Sequence, residues 1–186
     1  EGELPSKDKV VIYAIKHQSA WETVFCTDFF SMPSIVLKKA LIFLPVIGLY
    51  FLRSGAIPIT RDQGINALKK MGRNAKIAVK KNRSMMIFPQ GTRVSPGVSS
   101  KEKPYLPGVF FLYSQTKVPV VPVAHNAGLI WPKNSFIKYP ERLSSKSVTL
   151  KILPEIQPGL SKKEFLSRLE AEIENASNEL IKKELS

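Results

Sequence analysis

The chain contains two histidines, and the more informative one closes an apolar run: Val10-Val11-Ile12-Tyr13-Ala14-Ile15 ends in Lys16-His17. An imidazole at the end of a strand can act as a general base if a carboxylate fixes its tautomer. Glu22, with four residues between, supplies one; if the chain turns helical after His17, the two side chains come within hydrogen-bond reach. Base plus orienter is half of a charge-relay arrangement, and no serine or cysteine of the sequence suits the role of activated nucleophile. The nucleophile is therefore expected to arrive with the substrate. His125 follows a similar apolar run, Val118 to Ala124, but has no carboxylate near it in sequence and is the weaker candidate.

A second group is Phe88-Pro89-Gln90-Gly91-Thr92-Arg93, where the run Ser84 to Phe88 stops abruptly. Backbone N–H groups, a hydroxyl and a guanidinium converging there form the donor set that an oxyanion or a phosphate requires. The competing reading is a tight turn with a surface arginine. Arg61, at the end of the short run Ile57-Pro58-Ile59, joins Arg93 as a bidentate pair for a phosphomonoester if the strands align.

The elements that must position these residues are legible from hydrophobic periodicity. Strands are expected at Val10 to Ile15, around Ile57 to Ile59, at Ser84 to Phe88, at Val118 to Ala124 and at Ser147 to Leu153. The first is read as buried and parallel, and the fourth as a sheet edge or irregular strand because it holds Pro119 and Pro122. Helical spacing runs from Trp21 to Phe30, from Gly64 to Lys81 with Asp62 as its cap, and over Pro107 to Gln115. Ser161-Lys162-Lys163-Glu164 is a capping box that opens an amphipathic helix over 161–186. With no repeat, linker or low-complexity segment, residues 1–186 are expected to form one α/β domain, a mixed, largely parallel sheet flanked by helices.

Within it, residues 24–52 read as apolar helices at a membrane interface. The thirteen uncharged residues from Ala40 to Leu52 fall short of the roughly 20 needed to span a bilayer, and Pro45 and Gly48 interrupt them. Lys38, Lys39 and Arg53 flank the stretch, as they would flank either an interfacial segment or a core helix pair with basic ends.

Charge narrows the partners. The net charge is +13, and between Gly64 and Lys103 ten basic residues face a single acid, Glu102. Such a field favours phosphates, whether on lipid, nucleotide or nucleic acid, the competing reading being a solvated basic helix face. Nucleic acid is not expected, since no zinc pattern, RNA-binding aromatic motif or recognition helix accompanies the charge. One cysteine, Cys26, excludes an intrachain disulfide and suits a reducing compartment. No metal site is expected, because neither a Cys/His cluster nor an H-E-x-x-H motif occurs.

Taken together, His17-x4-Glu22, Gly55-x-x-Pro58-Ile59-x-Arg61, Phe88-Pro89-Gln90-Gly91-Thr92-Arg93 and Val118-Pro119-Val120-Val121-Pro122-Val123 stand in the order and spacing of four blocks. They resemble those of the glycerolipid acyltransferase family, and most closely its bacterial 1-acylglycerol-3-phosphate acyltransferases. The resemblance implies that His17 is a general base oriented by Glu22. It implies that Arg61, Gln90, Gly91, Thr92 and Arg93 bind the substrate, and that lysophosphatidic acid is acylated by acyl-CoA or acyl carrier protein with no cofactor. It further implies a membrane surface with anionic lipid as partner and residence on the cytoplasmic face of the membrane. Glycerol 3-phosphate or another lysophospholipid as acceptor, or a non-catalytic peripheral lipid-binding protein, are the alternatives. Two positions depart from the family pattern: Glu22 stands where aspartate is usual, and Gln90 where glutamate is usual.

Overall fold

The computed structural model describes residues 1–60, 63–133 and 147–185. Arg61 and the expected cap Asp62 lie outside the described residues. The strands are β1 (Ile12–Ile15), β2 (Ser34–Lys38), β3 (Ile57–Ile59), β4 (Met85–Ile87), β5 (Val120–His125) and β6 (Leu150–Ile152). The helices are α1 (Trp21–Phe29), α2 (Ile47–Arg53), α3 (Gly64–Lys80), α4 (Gly108–Thr116), α5 (Ala127–Ile130) and α6 (Lys162–Leu185), with a 3₁₀ turn at Lys39–Phe43.

The sheet order is β3-β2-β4-β1-β5-β6, parallel throughout except for the antiparallel pair β5–β6. It is thus the mixed, largely parallel sheet that the sequence implied. Alternation along β1 sends Ile12 and Ala14 to a core shared with α3, α4 and α6, and Val11, Tyr13 and Ile15 to a second core shared with α1 and α2. Phe165, Leu169 and Ile173 of α6 are fully buried in the first core. Each such side chain contributes roughly 1.5–3 kcal/mol, so α6 is held by packing, far above what any one surface ion pair supplies. Its start is fixed as expected: Ser161 N donates to Glu164 Oε2 at 3.0 Å and Glu164 N donates to Ser161 Oγ at 3.3 Å.

Two expectations need correction. The apolar stretch 24–52 is not helical throughout, because Ser34–Lys38 is a parallel strand between β3 and β4. A buried parallel strand and a buried helix both read as an unbroken apolar run, and only the neighbouring strands separate them. Nor is β5 an edge, since it pairs with β1 on one side and β6 on the other. Pro122 is tolerated because the N–H it lacks would face Leu153, just past the end of β6 at Ile152, while its carbonyl still accepts from Leu153 N at 3.0 Å.

Because the strands β1 to β5 run in one direction, their carboxyl ends lie on one edge of the sheet. Residues 16–17, 38, 59–60, 88–93 and 125 are gathered there, where open α/β sheets bind their ligands.

Candidate active site

Immediately after β1 the chain makes one turn before α1 begins at Trp21, and this short connection folds Glu22 back under His17. His17 Nδ1 lies 2.8 Å from Glu22 Oε1. The same carboxylate accepts Gln18 N at 2.8 Å, Ser19 N at 2.7 Å and, through Oε2, the Ser19 hydroxyl at 2.7 Å. Ser19 Oγ in turn accepts Trp21 N at 2.9 Å. Burial would raise the Glu22 carboxyl, but the hydrogen bond with His17, the nearby imidazoles and Ser19 outweigh it and hold the group below its ordinary value. Glu22 is thus an anion with no solvent exposure, and an anion can only accept. Nδ1 therefore carries the proton and donates it, which leaves Nε2 as the basic nitrogen. The ring stacks on Phe88 with centroids 4.0 Å apart and an interplanar angle of 16°, so its plane is fixed as well as its tautomer.

Of the groups packed against Glu22, neither the Ser19 hydroxyl nor the Cys26 thiol is available as a nucleophile. Ser19 is fully buried and committed to Glu22, and Cys26 is fully buried with its thiol pushed up by burial and by the Glu22 charge. Among the described residues no group of three His, Cys, Asp or Glu is placed to hold a metal ion.

His17 opens onto a cavity of about 510 Å³. Ile35 and Leu37 of β2, Leu68 and Met71 of α3, and Leu106 and Val109 at the start of α4 line its apolar wall. Gly91 and Thr92 stand at its polar part with His17. The turn that carries them needs a left-handed residue, supplied by Gly91 at φ 64°. Gly91 N donates to Phe88 O at 2.9 Å, so this amide closes the turn. Thr92 and Arg93, by contrast, make no hydrogen bond or ion pair among the described residues, and Thr92 is exposed.

Gln90 is buried, does not line the cavity, and donates from Nε2 to Lys103 O at 2.8 Å, tying down the loop 94–103. A carboxylate could not make that bond to a carbonyl, so the amide found here fits its place. His125 is fully buried: Nε2 donates to Lys16 O at 2.6 Å and Nδ1 accepts Ala127 N at 3.2 Å. Burial lowers its proton affinity, which keeps it neutral and in a structural role.

An "Acyltransferase" family profile matches residues 2–126. The chain belongs to the acyltransferase family. It is 39% identical over 137 residues to a 1-acyl-sn-glycerol-3-phosphate acyltransferase of Pseudomonas aeruginosa, covering 74% of this chain and 51% of that protein. A protein of the same name from Limnanthes alba is 29% identical over 150 residues, covering 80% of this chain and 50% of the other. The chain thus spans about half the length of these curated relatives. Its fold matches the crystal structure of the 1-acyl-sn-glycerophosphate (LPA) acyltransferase PlsC from Thermotoga maritima, with a TM-score of 0.75 at 24% identity, over 97% of this chain and 70% of that one.

Within this acyltransferase domain, tertiary structure adds residues that the motifs did not flag. Ser19 is one, although Ser19-Ala20-Trp21-Glu22 carries the capping-box spacing and could have been read. Phe88, as the stacking partner of His17, and the Leu106 and Val109 wall had no local signal. Arg93 is half-buried beside the acyltransferase cavity without lining it, and its proposed partner Arg61 lies outside the described residues.

Proposed function

We propose that the protein transfers an acyl chain from acyl-CoA or acyl carrier protein to the free hydroxyl of 1-acylglycerol 3-phosphate, giving phosphatidic acid. The observation that carries this reading is a histidine with Nδ1 held by a buried carboxylate and the ring opening onto a 510 Å³ apolar cavity. The names of the Pseudomonas and Limnanthes relatives support it.

In this mechanism Nε2 of His17 takes the proton of the acceptor hydroxyl as its oxygen attacks the thioester carbonyl. The new C–O bond forms, the C–S bond breaks as the tetrahedral intermediate collapses, and the imidazolium returns its proton to the leaving thiolate. Glu22 stabilises the imidazolium and keeps the productive tautomer. The protein forms no covalent bond to the acyl group and requires no cofactor. Thr92, Arg93 and Arg61 hold the acceptor phosphate, with the free amides of Thr92 and Arg93 as oxyanion donors. The acyl chain occupies the wall of Leu37, Leu68 and Met71.

A membrane surface supplies the lipid. Phe43, Val46 and Leu49 are 73%, 78% and 71% exposed, and Lys38, Lys39 and Arg53 border them. No helix among the described residues is long and apolar enough to cross a membrane, so contact at the interface of the cytoplasmic leaflet suits this patch.

The decisive experiment is release of free thiol from acyl-CoA or acyl carrier protein, with lysophosphatidate, glycerol 3-phosphate and other lysophospholipids as acceptors. Thiol release dependent on lysophosphatidate is expected. Release with another acceptor alone reassigns the substrate, and release with none leaves only a lipid-binding role. Arg93→Ala is expected to raise the apparent KM for lysophosphatidate about tenfold or more, the equivalent of losing a charged hydrogen bond of roughly 1.5–3 kcal/mol, with kcat little changed. An unchanged KM removes Arg93 from the phosphate site. Leu68→Trp is expected to shift donor preference to shorter chains, by about fourfold (0.8 kcal/mol) against the longer donor per methylene excluded. Chain-length profiles identical to wild type would place the acyl group elsewhere.

A further inference from the structure

Directly before His17 stands a lysine that the acyl-transfer chemistry does not use. Lys16 is 3% exposed, and its ammonium pairs at 2.5 Å with Oε1 of Glu174 in α6. The same oxygen accepts the Tyr105 hydroxyl at 2.9 Å. The main chain of Lys16 is held at both ends: its N–H donates to Val123 O at 3.0 Å, and its carbonyl accepts His125 Nε2 at 2.6 Å. A buried ion pair is a poor way to gain stability, since an apolar pair of similar volume does as well or better, but removing one partner alone leaves an uncompensated buried charge.

We propose that Glu174 is a positioning residue for His17, acting through Lys16, and that through Tyr105 it also fixes the adjoining cavity wall. This rests on the acyl-transfer reading above. Tyr105 precedes Leu106, which lines the cavity and whose N–H donates to Pro89 O at 2.9 Å, next to the Gly91 turn. One carboxylate oxygen is therefore a common anchor for the strand end that bears the base and for the wall that faces it. Glu174 lies 158 residues from Lys16 and outside the matched stretch 2–126, so α6 is part of the site and not a mere appendage.

If Glu174 is lost, the ammonium of a side chain only 3% exposed is left without its counter-charge, and the rearrangement that rehydrates it strains the peptide on which His17 is mounted. A displacement of about 1 Å costs up to about 100-fold in rate. Glu174→Ala is thus expected to lower kcat by about 10- to 100-fold while the KM for lysophosphatidate stays within about twofold. Glu174→Gln, which keeps an acceptor for Tyr105 and leaves the packing of α6 intact, gives a smaller loss in the same direction. Lys16→Met combined with Glu174→Gln removes both charges at once and is expected to restore kcat to within about threefold of wild type, because only the unpaired charge moves the strand.

A second readout does not require turnover: the NMR resonance of the proton between His17 Nδ1 and Glu22, expected to shift or broaden in Glu174→Ala and to return in the double variant. Wild-type kcat and resonance in Glu174→Ala overturn the proposal. So does a double variant as impaired as Glu174→Ala, which would mean that the unpaired Lys16 charge is not what displaces His17. If wild-type protein releases no thiol, the acyl-transfer reading fails by itself, and the imidazole resonance still decides whether Glu174 positions His17.

Discussion

His17→Ala is expected to abolish acyl transfer, lowering kcat by about 10² to 10⁴, the range that general acid–base help supplies. The loss should appear in kcat with little change in KM, because the imidazole acts on a proton in flight and contributes little to holding either substrate. The fold should survive. The side chain is one-sixth exposed, at 17%, and its main packing contact is the stack on Phe88, worth about 0.5–1.5 kcal/mol. Glu22 keeps the donors Gln18 N, Ser19 N and Ser19 Oγ, so no bare buried charge is created. Thiol release and a thermal melt on the same preparation check both halves. Turnover near wild type in a folded variant would remove His17 from the chemistry.

Glu22→Ala is expected to damage stability and activity together. The carboxylate accepts from four donors, and at least the two amides and the Ser19 hydroxyl have no nearby substitute. Each buried donor left without a partner costs about 1–3 kcal/mol, which makes a loss of several kcal/mol the expected result. Glu22→Gln keeps the volume and one acceptor oxygen, and should melt closer to wild type while still losing most of kcat, since the imidazolium then has no counter-charge.

The pH response separates the charge from the shape. Glu22 has a lower proton affinity in the folded protein than its ordinary 4.5, so its ionised form stabilises the fold at pH above that value. That contribution is lost as pH falls from there through the lowered native value. Wild type should therefore lose melting temperature over this acid window more steeply than Glu22→Gln. Parallel profiles for the two proteins would show that the charge at 22 carries no stability.

Much of the site was legible because its signals are local. His17 follows a continuous apolar run, and Glu22 comes at a spacing that one turn can fold back, so their hydrogen bond needed no information from elsewhere in the chain. The turn at Gly91 and the capping box at Ser161 and Glu164 are likewise written in a few adjacent residues. The neighbourhood of these groups was not legible. Ser34–Lys38 looks like part of a greasy helical stretch until β3 and β4 flank it. Pro119 and Pro122 argued for an edge, whereas β5 has a neighbour on each side. Gln90 has the position of a substrate-binding group but turns its amide toward Lys103, a choice set by a loop returning from thirteen residues on.

The sequence by itself determined the His17–Glu22 pairing, the turn at Gly91, the α/β class and the family resemblance, because hydrogen bonds over a few residues and apolar periodicity depend on local spacing. Tertiary structure alone decided the strand order, the apolar cavity beside His17 and the anchoring of Lys16 and Tyr105 by Glu174. These are contacts between segments far apart in the chain, where sequence separation carries no geometry until the core has closed around them.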